Sequence, residues 1–155
     1  MISIELPDEA ATAALAARIA ALARPGDVIA LKGELGAGKT SFARAFIRAC
    51  GGGGGEDVPS PTFTLVQVYE LAEAAIWHFD FYRLRHPEEA WELGIEDGFR
   101  DGISLIEWPE RIGTLVPARR LEITLSDGAT PHRRRAMIDT GPDWGSRLCR
   151  LRTQA

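Results

Sequence analysis

Val28-Ile29-Ala30-Leu31-Lys32 followed by Gly33-Glu34-Leu35-Gly36-Ala37-Gly38-Lys39-Thr40 is the stretch on which the reading of the chain turns. The second part satisfies G-x-x-x-x-G-K-[ST] at every fixed position. Each position has a chemical reason. Glycines let the backbone curl so that successive N–H groups face phosphate oxygens. A helix after the loop adds its unsatisfied N-terminal N–H groups and its positive dipole end. Lys39 supplies a point charge to the β- and γ-phosphates, and the Thr40 hydroxyl is a hard oxygen ligand for Mg²⁺. The flanks also suit the motif: a short apolar run leads in, and Phe42, Phe46 and Ile47 recur at helical spacing afterwards. A glycine-rich turn that merely contains a lysine would not need both flanks.

Working outward, Ile2–Leu6 alternates like a half-buried strand, and Asp8 is placed to cap a helix over 8–23 with Ala11, Leu15, Ile19 and Leu22 on one side. Helical spacing over 39–50 gives way to Gly51–Gly55, and residues 51–57 read as a flexible glycine-rich loop. Phe63–Tyr69 and Ala75–Asp80 read as an antiparallel hairpin, Pro87–Leu93 as a short helix and Ile103–Glu107 as an apolar strand. Leu121–Leu125 with Arg135–Asp139 suggests a last hairpin, and Asp143–Leu151 a terminal helix. The expected class is α/β: a P-loop nucleotide-binding fold of central parallel strands with antiparallel additions, hence a mixed sheet, in one domain over 1–155.

Composition fits this reading. A hydrophobic fraction of 45% is that of an ordinary globular chain, and no apolar run approaches the length of a membrane span. Net charge is −4, which argues against a bulk electrostatic grip on nucleic acid. Residues 117–155 hold eight Arg against four acids, so that third is +4 and residues 1–116 carry −8. Two cysteines without metal-type spacing and an N-terminus without a basic segment before an apolar core point to a cytoplasmic protein.

A P-loop site needs an acid at the end of a neighbouring strand to order Mg²⁺ and its waters. Asp80 and Glu107 compete for that role. Ile103-Ser104-Leu105-Ile106-Glu107 is the more continuously apolar run, as befits a central parallel strand, whereas Ile76-Trp77-His78-Phe79-Asp80 alternates like a peripheral one. The pattern favours Glu107. Asp80 is then left to position the attacking water or clamp a moving segment, or else to cap its strand or pair with Arg83. Hydroxyls in Ser60-Pro61-Thr62-Phe63-Thr64 resemble nucleotide-sensing switch segments. His78, His86 and His132 lack metal-type spacing and read as structural or surface residues.

In order, Gly33–Thr40, Ser60–Val66, His78-Phe79-Asp80-Phe81-Tyr82-Arg83-Leu84 and Leu105-Ile106-Glu107-Trp108-Pro109-Glu110 resemble the TsaE (YjeE) family, from about residue 3 to about 140. These are bacterial ATPases of threonylcarbamoyladenosine modification of tRNA. The resemblance implies an ATPase using ATP and Mg²⁺, weak alone and acting with the partner proteins TsaB and TsaD, with tRNA contacted indirectly and no membrane involved. It implies Thr40 and Glu107 as Mg²⁺ ligands, and Lys39, Asp80 and Glu107 as the catalytic set. Gly33, Leu35, Gly36, Ala37, Gly38, Lys39, Thr40 and Ser41 fall on the nucleotide loop. Thr62 falls in the switch-like segment, and Trp108 matches a position needed for activity. Ala10 falls where the chain approaches the base, and Arg133 on a nucleotide-contacting position. The Gly51–Gly55 run is longer than the family's usual link, and Arg133-Arg134-Arg135 is more basic than its place demands.

Two other classes answer to the same loop. A small-molecule kinase would need an acceptor pocket and an Arg-bearing lid; Arg83 and Arg85 could serve, but no convincing lid insertion lies between the strands. A non-catalytic nucleotide-held adaptor would need only one metal-side acid, where this chain has two. No Asn-Lys-x-Asp guanine-reading segment is present.

Overall fold

A computed structural model describes residues 1–51, 61, 64–71, 73–128, 130 and 133–152. The chain runs β1 (Ile2–Leu6), α1 (Glu9–Leu22), β2 (Val28–Lys32), α2 (Lys39–Ala49), β3 (Val66–Glu70), β4 (Ala75–Asp80), α3 (Glu89–Glu92), α4 (Ile95–Asp101), β5 (Ile103–Glu107), β6 (Leu121–Asp127), β7 (Arg134–Asp139) and α5 (Gly141–Arg152), with 3₁₀ turns at Pro109–Arg111 and Gly113–Leu115. One seven-stranded sheet has the order β1-β7-β6-β2-β5-β4-β3. Its centre, β6-β2-β5-β4, is parallel, and both ends are antiparallel through β3–β4, β6–β7 and β1–β7. This is the mixed α/β sheet expected.

Burial follows the strand period. Alternation along β2 and β5 sends Ile29, Leu31, Ile103 and Leu105 into a core with α1 and α2, where Leu15, Ile19, Phe42, Phe46 and Ile47 meet them. Val28, Phe79 and Ile106 point to the other face, against Ile95, Ile112 and Val116. A strand buried on both faces reads as a continuous apolar run, and β2 and β5 are such strands. Their central position sets the carboxyl ends of β2, β4 and β5 side by side, where α/β sheets bind ligands.

Helix boundaries have local causes. Asp8 accepts the Ala11 N–H at 2.8 Å and caps α1. Gly38 lies in the left-handed region at the start of α2, where Phe42 N–H reaches its carbonyl at 2.9 Å. At the far end of the sheet, Arg147 on α5 donates to both carboxylate oxygens of Asp27 at 2.6 and 3.1 Å and to Leu22 O at 3.2 Å. Trp144 and Leu148 bury the same helix in the first core.

Three details differ from the sequence reading. β3 begins at Val66, directly after Leu65, whose φ of 70° departs from extended backbone; Phe63, where the strand is expected to open, lies outside the described residues. A second short helix, α4, follows the one expected near Pro87. The final strands are longer or shifted by a residue, β6 reaching Asp127 and β7 opening at Arg134. The glycine run and Thr62 lie outside the described residues, apart from Gly51. Among the described residues no helix is long and apolar enough to cross a membrane.

Candidate functional site: a phosphate loop with two strand-end carboxylates

The loop between β2 and α2 wraps around its own lysine. Lys39 is 4% exposed and donates to the carbonyl oxygens of Gly33 and, at 2.9 Å, of Glu34. Its ammonium lies 4.0 Å from the centre of the Trp108 ring, a cation–π contact. Burial lowers the Lys39 pKa below the ordinary lysine value, against the opposing pull of Glu107, Glu110, Asp80 and Glu34. Four carboxylates thus surround one ammonium and leave the cluster net negative, as suits a site that receives a cation.

Glycine geometry makes the cradle. Gly36 and Gly38 take φ of 83° and 106° with open space where a side chain would begin, so it is their backbone conformation that excludes other residues. Gly33 is different: φ is 142°, and a Cβ there would lie 2.4 Å from Leu125 O of the neighbouring strand.

Beneath the loop, the paired register of β4 and β5 sets Asp80 opposite Glu107. Both side chains are buried, at 4% and 2% exposed, on the face covered by α2. The Thr40 hydroxyl donates to Glu107 Oε1 at 2.6 Å. Asp80 Oδ1 accepts the Tyr82 N–H at 3.0 Å, which fixes the turn leaving β4. Trp108 follows Glu107 with φ of 60°, a costly conformation for a large residue, and this turns its ring back over Lys39 and against Tyr82, 5.0 Å between centres. Leu35, Gly36, Ser41, Asp80, Tyr82, Glu107 and Trp108 line a cavity of about 280 Å³ here. A larger cavity of about 850 Å³ adjoins it through Gly36, Gly38 and Ser41, and runs between the start of α1 (Asp8, Glu9, Ala10) and α2 (Arg44, Arg48).

The residues singled out from the sequence thus fall into groups. Gly33 through Ser41 form one continuous loop and helix start, with Leu35 exposed and Ala37 buried. Lys39, Thr40, Asp80, Glu107 and Trp108 converge on the smaller cavity, and Ala10 lines the larger one. Arg133 is exposed just before β7, and its neighbour Arg134 is the one that lines the larger cavity, with Nη2 3.4 Å from Gly36 O. Two site residues escaped the sequence reading. Tyr82 packs on Trp108, and its place in the Asp80-Phe81-Tyr82 turn was the available signal. His78, read as structural, is fully buried with Nε2 2.7 Å from Glu107 Oε2.

The donors suit the groups the motif calls for. Mg²⁺ takes hard oxygen ligands, keeps several waters, and is commonly held by one or two carboxylates together with substrate phosphates. Thr40 and Glu107 offer such oxygens at the helix start, with Asp80 beside them.

A family model described as threonylcarbamoyl adenosine biosynthesis protein TsaE matches residues 6–136. The chain belongs to the TsaE family. Relatives named tRNA threonylcarbamoyladenosine biosynthesis protein TsaE include one from Rickettsia felis, 41% identical over 121 residues, which are 77% of this chain and 70% of that protein. Another, from Bacillus subtilis, is 41% identical over 120 residues, 77% of this chain and 72% of its own. The crystal structure of Bacillus subtilis YdiB superposes with a TM-score of 0.78 at 28% identity, covering 99% of this chain and 94% of YdiB. The TsaE motifs quoted from the sequence all lie within the matched span, and the family and fold together indicate a nucleotide-binding protein.

Proposed function

We propose that this TsaE-family chain is a Mg²⁺-dependent ATPase that supports threonylcarbamoyl transfer to adenosine in tRNA. It works with TsaB and TsaD, in the cytoplasm, and is a weak ATPase without them. The observation that carries the ATPase reading is the convergence of Thr40 and Glu107, 2.6 Å apart, at the N-terminus of α2 directly after the loop that holds Lys39.

Each group has a physical task. N–H groups of the loop and of the first turn of α2 receive phosphate oxygens. Lys39 sets its charge against the β- and γ-phosphates. Thr40 and Glu107 would hold Mg²⁺, which would supply Lewis-acid stabilisation of the charge developing on the phosphates. Asp80 orients a water for in-line attack from the floor of the cavity. Ala10 and Arg134 flank the larger cavity, which would receive the nucleoside. Phosphoryl transfer depends almost wholly on positioning and charge. A site completed by TsaB and TsaD is therefore slow until they dock.

Two substitutions separate the roles. Glu107→Ala weakens nucleotide binding in Mg²⁺, whereas Asp80→Ala binds ATP and loses hydrolysis. Equal nucleotide affinity of Glu107→Ala and the unaltered protein in Mg²⁺ would remove Glu107 from the metal site.

A further inference from the structure

His78 lies on β4 on the same face as Asp80 and Glu107 and is 0% exposed. Its Nε2 is 2.7 Å from Glu107 Oε2, while Glu107 Oε1 accepts the Thr40 hydroxyl at 2.6 Å. Both carboxylate oxygens are therefore held, one by each neighbour, and the plane of the group is fixed. Among the described residues nothing bonds Nδ1, so the ring's hydrogen bonding to the protein goes through Glu107 alone.

Tautomer chemistry gives the bond its direction. An ionised carboxylate only accepts, so the nitrogen facing it must carry the proton. The neutral ring then has its single N–H on Nε2. The other tautomer sets a lone pair against the carboxylate and buries an N–H at Nδ1 with no protein acceptor. The neighbours on the same face of β4 and β5, Ile76, Ile103 and Leu105, are aliphatic, and packing alone would be met at position 78 by another such residue.

We propose that His78 is a positioning residue for Glu107: its Nε2–H holds Oε2 so that Oε1 is presented to Thr40 and to the cation site at the head of α2. The inference rests on the nucleotide reading above. Partners that orient a metal-binding carboxylate or imidazole govern metal affinity without touching the metal. His78 acts in that way on the carboxylate.

The test measures affinity for ADP carrying an N-methylanthraniloyl fluorophore, in Mg²⁺ and in EDTA, on the full chain, alongside a thermal melt. The ratio of the two affinities is the gain due to the metal. His78→Leu should cut that gain by about tenfold or more, from the range known for such orienting partners, and leave the EDTA affinity within about threefold. His78→Gln, whose amide nitrogen reaches the place of Nε2, should restore most of the gain. A folded His78→Leu protein with the unaltered gain overturns the inference and leaves the ATPase reading standing. No gain in the unaltered protein overturns both. Should His78→Leu not fold, His78→Asn and His78→Gln decide, since the Asn amide is too short to reach Oε2. Loss in Asn with retention in Gln supports the inference, and the same result in both overturns it.

Discussion

Gly33→Ala should destabilise the protein far more than Gly36→Ala, although both glycines lie in the same loop at positive φ. At Gly36 the added methyl meets nothing within 4 Å, so the cost is the backbone conformation alone, about 1–2 kcal/mol for an L residue in the left-handed region. At Gly33, φ of 142° carries a strain of about 1–3 kcal/mol. The methyl would also lie 2.4 Å from Leu125 O and 3.1 Å from Ala37 Cβ. Leu125 is on β6, paired with β2, so relief requires moving one central strand against another. Overpacking of that kind adds about 1–3 kcal/mol. The sum is about 2–6 kcal/mol, and at about 3 °C per kcal/mol for a domain of this size the melting temperature should fall by about 6–18 °C. Gly36→Ala should lower it by only about 3–6 °C on the same scale. Thermal melts followed by circular dichroism, at matched concentration without nucleotide, make the comparison. A Gly33→Ala protein melting within 2–3 °C of the unaltered chain (about 1 kcal/mol on the same scale) would refute the argument that the loop is pinned to β6 by close approach.

The remaining predictions concern other parts of the molecule. Arg147→Ala leaves Asp27, 8% exposed, without its bidentate partner, and removing one member of a buried pair costs about 3–5 kcal/mol, or about 9–15 °C in melting temperature. A change below 3 °C (about 1 kcal/mol) would mean that α5 is held by Trp144 and Leu148 alone. Cys149 is exposed, whereas burial, with Glu73 nearby, pushes the Cys50 thiol up from its ordinary value. N-ethylmaleimide at neutral pH should therefore modify Cys149 first and Cys50 only slowly, as mass spectrometry of tryptic peptides would read. Equal rates would contradict the burial of Cys50.

What the sequence discloses about this fold depends on how local each signal is. The phosphate loop is wholly local, and the steric needs of eight consecutive residues identify it without any tertiary contact. Glu107 was favoured over Asp80 on the apolar continuity of its strand, and β5 is indeed central, between β2 and β4. The inference drawn from β4 was less complete. His78 interrupts an apolar run and reads as the mark of a peripheral strand, yet it is buried because its polar partner, Glu107, lies 29 residues away on the next strand. Pairing across strands leaves no trace in local periodicity.

α4 escaped for a related reason. Gly98 sits mid-helix, where glycine weakens the helical signal. A Cβ there would lie 3.1 Å from both Trp77 and Ser104, so the residue serves the close approach of helix to sheet. Leu65 at φ of 70° likewise sets the start of β3 at Val66 for a reason outside its own propensity: its carbonyl accepts the Asp80 N–H at 3.0 Å. Arg133 and Arg134 are adjacent and alike in composition. Arg134 opens β7 while Arg133 lies just before it, and it is Arg134 that reaches the loop at Gly36.

The central claim is tested most directly by Mg²⁺-dependent ATP hydrolysis of the purified chain, alone and with its cognate TsaB and TsaD. Low turnover alone, a clear rise when both partners are added, and loss of that rise in Lys39→Ala are the results expected. Hydrolysis unchanged by folded, correctly assembled partners, or a rise that survives Lys39→Ala, would contradict the account.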